Sequence, residues 1–516
     1  QTGLDLPYLQ FSGTSNFQTN GNTLNLGSLA IGLDGELDLT DVVTGSESKL
    51  FLAGDSSITK TGDLLFKEIS LDGYTLTLNP AINSLTAQNI NLPNDTNSSS
   101  NPVESSGLLL AEGVNVTLTK KLWLDSGKIE MGGGTLSLQQ GGGLGTSGYG
   151  ELDLINSTLE LAGPFLNEGG PLTTSASTLR LNSNVLFRLG NEVSFDTYEP
   201  NGWGLLLYNN EDTSTTKSLT LGTNGTDTTL EPSAESLTSG FVAWHHSDNN
   251  TEYVSGSHDI GIETNDASLT INGNLTLKDN ATISSDSGNV ELGNLDLENG
   301  NISVNGGTLN LEEGSVGANG QLKVGGQATL NVEGDLTVAG MLKVGGQATL
   351  NLEADLTVAG ILNLHPHSFF NLAGNTLNAA GARLELGGER SFDSITTNEN
   401  TTLQVNSYLD LSRTDSGSST IGNLELIMLE GDSGSNSLNI SDMNLVVAGV
   451  AALDGKNITQ IDGTLEFQNS PTFDNESSVD VNNGELILQS GATVSNSLFT
   501  FTSSIFKPSG TVSLVS

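Results

Sequence analysis

Two consecutive segments of 20 residues in this chain are almost identical. Residues 321–340 read QLKVGGQATLNVEGDLTVAG and residues 341–360 read MLKVGGQATLNLEADLTVAG, so they differ at three positions. A unit of this length is too short to bury a core of its own, and it must stack on its neighbours to cover its apolar side chains. The repeat therefore predicts a solenoid.

Apolar and polar residues alternate within each repeat. There are three alternating runs, at 322–324, 328–332 and 336–338. The first two runs are separated by Gly325-Gly326, and the last two by Glu333-Gly334. A period of two is typical of β-strands, and glycine accepts the backbone angles that tight corners require. One repeat thus predicts one three-sided coil.

The strands of such a coil have no hydrogen-bond partners inside the coil. Each strand must pair in parallel with the equivalent strand about 20 residues later, at a spacing of roughly 4.8 Å. The fold class we predict is all-β, a right-handed parallel β-helix with three-sided coils of about 20 residues. Outward residues should then stack in ladders, namely Thr329 over Thr349, Asn331 over Asn351 and Thr337 over Thr357.

The same pattern of glycine followed by an alternating run occurs along most of the chain. It is found at 21–26 (GNTLNL), 134–138 (GTLSL), 150–154 (GELDL), 307–311 (GTLNL), 463–467 (GTLEF) and 484–488 (GELIL). We therefore predict one continuous solenoid over residues 1–516, with at most about 26 coils before insertions are subtracted. Residues 195–262 break the pattern and are predicted to be an irregular insertion, and 1–20 and 495–516 are predicted to be caps or stacking ends.

Composition and charge exclude several classes of protein. Aromatic residues make up 5% of the chain, which is too few for a large globular core, and no run of about 18 apolar residues predicts a membrane-spanning helix. The chain has 17 Lys and Arg residues and 60 Asp and Glu residues, which gives a net charge of -43. This charge excludes nucleic acid as a partner.

The start of the chain and its cysteine content bear on the compartment. The first residue is Gln1 rather than Met, as expected after removal of a signal peptide, and there is no Cys. We expect a secreted protein, extracellular or at the cell surface, whose stability does not depend on disulfides.

Four carboxylates of the repeat form two ladders at one predicted corner: Glu333 over Glu353 and Asp335 over Asp355. Clustered carboxylate oxygens are ligands that Ca²⁺ prefers, whereas like charges one strand apart repel each other. These residues are candidates for a Ca²⁺ site. The alternative is a solvated acidic face, and no cofactor is required by any other pattern.

The predicted insertion concentrates the few aromatic residues of the chain. Tyr198, Trp203, Tyr208 and Trp244 are candidates for a platform that stacks on sugar rings or docks a protein. A small local core beneath the insertion is the alternative.

Catalytic motifs are missing from the sequence. There is no G-x-S-x-G elbow, no H-E-x-x-H and no phosphate-binding loop, and neither His245-His246 nor His365 with His367 has metal-site companions at a recognised spacing. We interpret these histidines as turn or surface residues and the protein as a non-enzyme. A polysaccharide lyase or hydrolase remains the enzymatic alternative, because such enzymes use carboxylates on one face of a β-helix.

Both chain ends carry apolar residues where a solenoid is open. A coil end exposes its interior and its unpaired backbone, and it must be capped or must add another copy. The candidate self-association residues are Leu4, Leu6, Tyr8, Phe11, Phe499, Phe501 and Phe506. The alternative is a hydrophobic cap that folds back over each end.

The 20-residue coil, its glycine corners, the outward Thr, Asn and Ser residues and the lack of Cys together resemble the filamentous-haemagglutinin-like and autotransporter-passenger exoproteins of bacteria. This resemblance implies secretion to the surface and a role in adhesion, biofilm or fibre formation. Its expected partners are copies of the chain itself and a surface glycan or a host or cell receptor. The alternative function is a carbohydrate-binding or polysaccharide-cleaving β-helix that uses residues 195–262.

Overall fold

The computed structural model shows an all-β protein. Parallel strands stacked about 20 residues apart form a β-solenoid of about 19 turns, as the repeat predicts, and the described residues contain no helix. The structure describes residues 8–17, 22–92, 107–209, 218–223, 228–230, 241–244, 251–254, 261–264, 268–278, 281–371, 375–392, 394–397, 401–413, 418–421, 423–427, 437–441, 443–449, 451–454, 456–474 and 476–515. In this part of the chain, no segment forms a helix long and apolar enough to cross a bilayer.

The chain divides into two compact units, Gln1–Gly273 and Asn274–Ser516. Both units are built from parallel coils. The sequence does not mark this division, because the pattern of glycines and alternating runs is the same on both sides of residue 273.

The strands of the first unit are β1 (Tyr8–Asn16), β2 (Leu24–Asn25), β3 (Ala30–Asp38), β4 (Val42–Val43), β5 (Lys49–Leu52), β6 (Ser56–Thr59), β7 (Gly62–Ser70), β8 (Thr75–Leu78), β9 (Ile82–Asn91), β10 (Leu108–Glu112), β11 (Asn115–Leu118), β12 (Leu122–Gly132), β13 (Thr135–Leu138), β14 (Gly142–Ile155), β15 (Thr158–Leu161), β16 (Phe165–Asn167), β17 (Leu172–Ser175), β18 (Thr178–Leu181), β19 (Val185–Leu189), β20 (Val193–Phe195), β21 (Thr197–Glu199), β22 (Leu205–Asn209), β23 (Ser218–Leu221), β24 (Thr228–Leu230), β25 (Phe241–Trp244), β26 (Thr251–Val254) and β27 (Gly261–Thr264). Strand β28 (Ser268–Leu277) includes the boundary between the units.

The strands of the second unit are β29 (Thr282–Ser285), β30 (Val290–Leu297), β31 (Asn301–Val304), β32 (Thr308–Val316), β33 (Gln321–Val324), β34 (Thr329–Val332), β35 (Leu336–Val338), β36 (Met341–Val344), β37 (Thr349–Leu352), β38 (Leu356–Val358), β39 (Ile361–Leu364), β40 (Phe369–Asn371), β41 (Thr376–Asn378), β42 (Arg383–Phe392), β43 (Ser394–Thr396), β44 (Thr402–Arg413), β45 (Ser418–Ile421), β46 (Asn423–Ile427), β47 (Ser437–Ser441), β48 (Asn444–Val447), β49 (Ala452–Asp454), β50 (Asn457–Ile461), β51 (Thr464–Phe467), β52 (Thr472–Asp474), β53 (Ser478–Asn482), β54 (Glu485–Leu488), β55 (Ala492–Ser495), β56 (Leu498–Thr502), β57 (Ile505–Pro508) and β58 (Val512–Val515).

The near-identical repeats form the most regular coils. Strands β33, β34 and β35 make the three sides of one coil, and they pair in parallel with β36, β37 and β38 of the next. The register confirms the three predicted ladders of Thr329 over Thr349, Asn331 over Asn351 and Thr337 over Thr357. A third coil, β39 to β41, continues the stack although its sequence has diverged from the repeat.

Alternation along each strand sorts the side chains into a dry interior and a wet exterior. In β34, Leu330 and Val332 are buried, whereas Thr329 and Asn331 between them are half-exposed. Leu, Val and Ile fill most of the interior, because the three sides of a coil leave only a narrow space between them. Burial of one such side chain contributes about 1.5–3 kcal/mol.

Glycine is required at two kinds of corner. Gly326 has a φ of +57°, which side chains with a Cβ rarely adopt. Gly360 has an ordinary φ, but a Cβ there would lie 2.0 Å from the carbonyl oxygen of Gly340 in the preceding coil. The first glycine allows the turn, and the second allows adjacent coils to approach each other.

Buried hydroxyl groups join adjacent coils at several corners, a feature that the sequence patterns did not predict. The Ser157 hydroxyl accepts the N–H of Gly133 at 2.9 Å and lies 3.1 Å from the Met131 carbonyl oxygen, both one coil earlier. The Ser56 hydroxyl has the same relation to Gly35 and Leu33. The buried Thr401 and the half-buried Ser504 repeat the arrangement. These hydroxyls add hydrogen bonds between coils, and some of their partners, such as the Gly133 N–H and the Leu33 carbonyl, also have a backbone partner.

The regular stacking changes within residues 195–262, where the sequence predicts an insertion. Strand β22 pairs with β27, so that Leu205 lies beside Ile262, about three coil lengths further along the chain. Between them, β25 and β26 form an antiparallel hairpin, with Phe241 opposite Val254. Strand β23 still follows the coil path, because it pairs in parallel with β20 and with β28. The chain therefore departs from this path for the hairpin between β23 and β27.

Candidate functional site

The last coil of the second unit ends three stacks of strands. Strands β56, β57 and β58 pair with β53, β54 and β55 of the preceding coil. Over the described part of the chain, no strand pairs with their other edges. Three rows of backbone N–H and C=O groups are therefore open at this end.

Inward-facing side chains of this coil are exposed. Phe501, Phe506 and Leu514 occupy core positions of the coil, and their exposed fractions are 37%, 40% and 79%. Their partners in the preceding coil are Val481, Leu486 and Val494, which are 1%, 0% and 6% exposed. The difference arises because each earlier coil is covered by the next one, whereas no described residue covers the last.

Aromatic rings pack against one another next to the open end. The Phe473 and Phe499 rings are edge to face with centroids 4.9 Å apart, and the Phe501 and Phe506 rings are 5.3 Å apart. Leu514 lines one wall of a cleft of about 540 Å³ at this end. The described residues thus show an open apolar surface with unpaired strand edges, not a cap folded back over it, and such a surface can accept a further coil.

The first described coil also exposes inward positions. Leu9 and Phe11 of β1 stack on Ile31 and Leu33, which are fully buried, yet Leu9 is exposed and Phe11 half-buried. The Tyr8 ring is exposed and lies over Gly32 of the next coil.

The structure places the predicted self-association residues only in part. Tyr8, Phe501 and Phe506 are exposed, and Phe11 and Phe499 are half-buried. Leu4 and Leu6 lie outside the described residues. Leu514, the most exposed core residue of the last coil, was missed, although the alternation of residues 511–515 (TVSLV) marks it as inward-facing.

The four carboxylates proposed for Ca²⁺ lie at the corner that the ladders predict, and all four are exposed to solvent. The Asp355 carboxylate accepts the backbone N–H of Thr376 at 2.8 Å, so one of its oxygens already has a structural partner. Across the described ranges, no three Asp, Glu, His or Cys side chains converge as metal ligands do. Ca²⁺ binding at Glu333, Asp335 and Glu353 with Asp355 stays a prediction.

The four aromatic residues of the predicted platform are in different environments. Tyr198 is 4% exposed and faces the interior, with Leu179 as its neighbour in the preceding coil, so its ring cannot belong to an exposed platform. Trp203 is half-buried in the turn after β21, where its backbone N–H donates to the Pro200 carbonyl at 2.9 Å. The backbones of Tyr208 and Trp244 lie in β22 and β25, and their side chains are outside the described residues.

Burial distinguishes two titratable side chains of the first unit. Loss of water raises the pKa of the Tyr198 hydroxyl above its ordinary 10.0, and this hydroxyl has no hydrogen-bond partner. Desolvation lowers the pKa of Lys60, against the attraction of Asp63 and Asp41. Its ammonium group is buried and donates to the carbonyl oxygens of Leu39 and Val42.

Several basic residues on the outer faces pair with acids about one coil away. Arg180 lies between Glu160 and Glu199, at 3.5 and 2.5 Å, and Lys49 contacts Glu68 at 2.7 Å. Each exposed pair contributes at most about 1 kcal/mol. Their main effect is to neutralise some carboxylates, and the large excess of acids leaves the surface negative.

His365 and His367 lie in the turn before β40, with ring centroids 5.5 Å apart. His245 and His246 lie outside the described residues.

Comparison of the chain with models of known protein families and with curated proteins finds no match.

Proposed function

We propose that this protein is a secreted, non-enzymatic structural component of a cell surface that forms fibres by end-to-end stacking of its coils. The observation that supports this proposal is the open coil of β56, β57 and β58, in which Phe501, Phe506 and Leu514 occupy core positions that no described residue covers. The resemblance to bacterial surface exoproteins adds adhesion or biofilm formation as the role of the fibre.

Stacking would pair the open strand edges and cover the exposed apolar side chains of this end. A covering coil pairs with the free edges of β56, β57 and β58, and it removes the apolar side chains from water. Each large side chain that becomes fully buried contributes about 1.5–3 kcal/mol, which together with the new hydrogen bonds works against the entropic cost of association.

The partner we propose is the first coil of another copy, where Tyr8 and Leu9 are exposed. Contact between two different ends of one chain is head to tail, and such contacts continue indefinitely when the rotation does not close a ring. The product is an open fibre. The net charge of -43 would keep fibres apart at low salt, and salt or divalent cations would reduce that repulsion.

Negative-stain electron microscopy and sedimentation of the purified protein test the proposal. We expect elongated assemblies that lengthen with protein concentration and ionic strength, and their comparison in CaCl₂ and in chelator tests the predicted Ca²⁺ site separately. Leu514→Asp and Phe506→Asp place a charge on the open end and should shorten or abolish the assemblies.

The matched control is Leu65→Asp, which adds the same charge at an exposed apolar residue on the side of a coil. It should assemble as the unaltered protein does. A protein that stays monomeric at every concentration and salt, or end variants that assemble normally, would contradict end-to-end stacking.

A further inference from the structure

A cleft of about 800 Å³ opens on one outer face of the second unit, away from the last coil. It lies where the two near-identical repeats meet the diverged third coil, and three successive coils line it. The lining residues that matter are Gln327, Gln347, Thr349, Asn351, His367 and Phe369.

Phe369 is the apolar element of this cleft. The register stacks it on Thr349 and Thr329, so an aromatic ring replaces a threonine at an outward position. The Phe369 side chain is 64% exposed. A single exposed apolar residue is ordinary, but this ring lies beside a row of amides, and together they offer a flat apolar face next to directional hydrogen-bonding groups.

The amides are held in fixed orientations by one another. The Asn351 Nδ2 donates to the Asn331 Oδ1 at 2.9 Å, and the Asn331 Nδ2 donates to the Asn310 Oδ1 at the same distance. The Gln327 Nε2 donates to the Gln347 Oε1 at 3.1 Å. A side-chain amide has two N–H groups and two acceptor positions, so the exposed Gln327 and Gln347 retain capacity for a ligand.

The cleft carries no acidic side chain, lysine or arginine among its described residues. The described lining contains no Asp, Glu, Lys or Arg, although the chain carries 60 acids, and His367 is its titratable side chain. An anionic ligand would be repelled by the net charge of -43, and a cationic one would find no carboxylate. The cleft therefore suits an uncharged ligand with many hydroxyl groups and an apolar face.

We propose that this cleft binds a neutral oligosaccharide. The C–H face of one sugar ring stacks on Phe369. Hydroxyl groups of the oligosaccharide form hydrogen bonds with the side-chain amides of Gln347 and Asn351. Equivalent amides recur at the coil spacing of about 4.8 Å, so an extended oligosaccharide meets similar groups along its length. The proposal does not rest on fibre formation, because all the lining residues belong to one chain.

Isothermal titration calorimetry and affinity electrophoresis with neutral hexasaccharides test this site. The neutral probes are hexamers of β-1,4-glucose, β-1,4-xylose, β-1,4-N-acetylglucosamine and α-mannose. A polygalacturonate serves as the charged probe, and a proline-rich peptide serves as the peptide probe. The protein carries Leu514→Asp throughout, so that assembly at the coil end does not affect the titration. We expect at least one neutral hexamer to bind, and the charged polymer and the peptide to bind more weakly or not at all.

Two substitutions at Phe369 then locate the binding site, and a third, at Tyr74, is the control. Phe369→Ala should weaken binding about tenfold or more, and Phe369→Tyr should retain it, because the tyrosine ring preserves the stacking face. Tyr74→Ala removes an exposed aromatic ring in the first unit and should leave affinity unchanged. Because Phe369 is exposed, its truncation should leave the circular dichroism spectrum and the unfolding midpoint intact.

Three outcomes would overturn the proposal. They are the absence of binding to all four neutral hexamers at millimolar concentration, tighter binding of the peptide or the charged polymer, and binding that Phe369→Ala does not weaken. Failure here would leave end-to-end stacking untouched, since that is measured by assembly of a protein with an intact end.

Discussion

Replacement of Tyr198 by phenylalanine should stabilise the protein. The Tyr198 side chain is buried in the first unit beside Leu179, and its hydroxyl oxygen has no hydrogen-bond partner. A buried polar group left without a partner costs about 1–3 kcal/mol. Phenylalanine keeps the ring and removes that group.

The expected gain is smaller than the full penalty. The hydroxyl oxygen makes dispersion contacts worth about 0.1–0.2 kcal/mol each, and these are lost with the oxygen. We therefore expect Tyr198→Phe to raise the free energy of unfolding by about 1–2 kcal/mol.

Urea denaturation and hydrogen exchange measure this gain at two levels. The urea midpoint should increase at an unchanged slope, because the exposed surface on unfolding is the same. Amides of β18 and β21 should exchange up to about tenfold more slowly, since 1.4 kcal/mol is a factor of ten in an equilibrium constant.

The pH dependence provides an independent signature. Burial raises the pKa of Tyr198, so above pH 10 the unfolded chain releases this proton while the folded chain retains it, and stability falls as pH rises. The phenylalanine variant lacks that loss, so its advantage should widen above pH 10.

Tyr74→Phe is the matched control, because Tyr74 is exposed whereas Tyr198 is buried. It should change stability by less than about 0.5 kcal/mol. A Tyr198→Phe protein that is no more stable than the control, or is less stable, would refute the reasoning and would show that the Tyr198 hydroxyl has a partner in solution.

The remaining predictions concern a corner, the core and a buried charge. Ser56→Ala should destabilise the first unit by about 1–2 kcal/mol in urea denaturation, because Gly35 and Leu33 lose a buried partner, whereas Ser57→Ala, at the neighbouring outward position, should be near neutral. Leu330→Ala should cost about 2–5 kcal/mol, since the side chain is fully buried between adjacent coils, and hydrogen exchange should show the loss concentrated in β32, β34 and β37. The lowered pKa of Lys60 means that the unfolded chain holds this proton more tightly, so stability should increase as pH rises toward 10.5; Lys60→Met should lack that contribution when the two proteins are compared from pH 8 to 10.

The interior of this fold could be predicted from sequence because it repeats. A residue such as Leu330 has the same neighbours as Leu350, and one pair of repeats is enough to fix strand, face and register. The corner hydroxyls could not be predicted in this way. Ser56 and Ser157 bond to backbone groups one coil earlier, and nothing in a short window of sequence distinguishes them from outward serines.

The outer surfaces were predicted less well, for a related reason. Phe369 occupies a position held by threonine in the preceding coils, and only the structure shows that its ring lines one cleft with the amides beside those threonines. The cluster of aromatic residues around Tyr198 in the sequence predicts an exposed platform. The strand of Tyr198, however, pairs with β18 and turns the ring inward.

The open coil end follows from what alternation encodes. The pattern of apolar and polar residues specifies which side chains face inward, but it does not specify whether another coil covers them. Val481 and Phe501 therefore carry the same signal, although the first is buried and the second is exposed. Because this signal continues through β56, β57 and β58, these strands present a core surface that no described residue covers. Such a surface is unfavourable in isolation and favourable in contact, and the contact that matches its parallel edges in all three stacks is another β-solenoid coil.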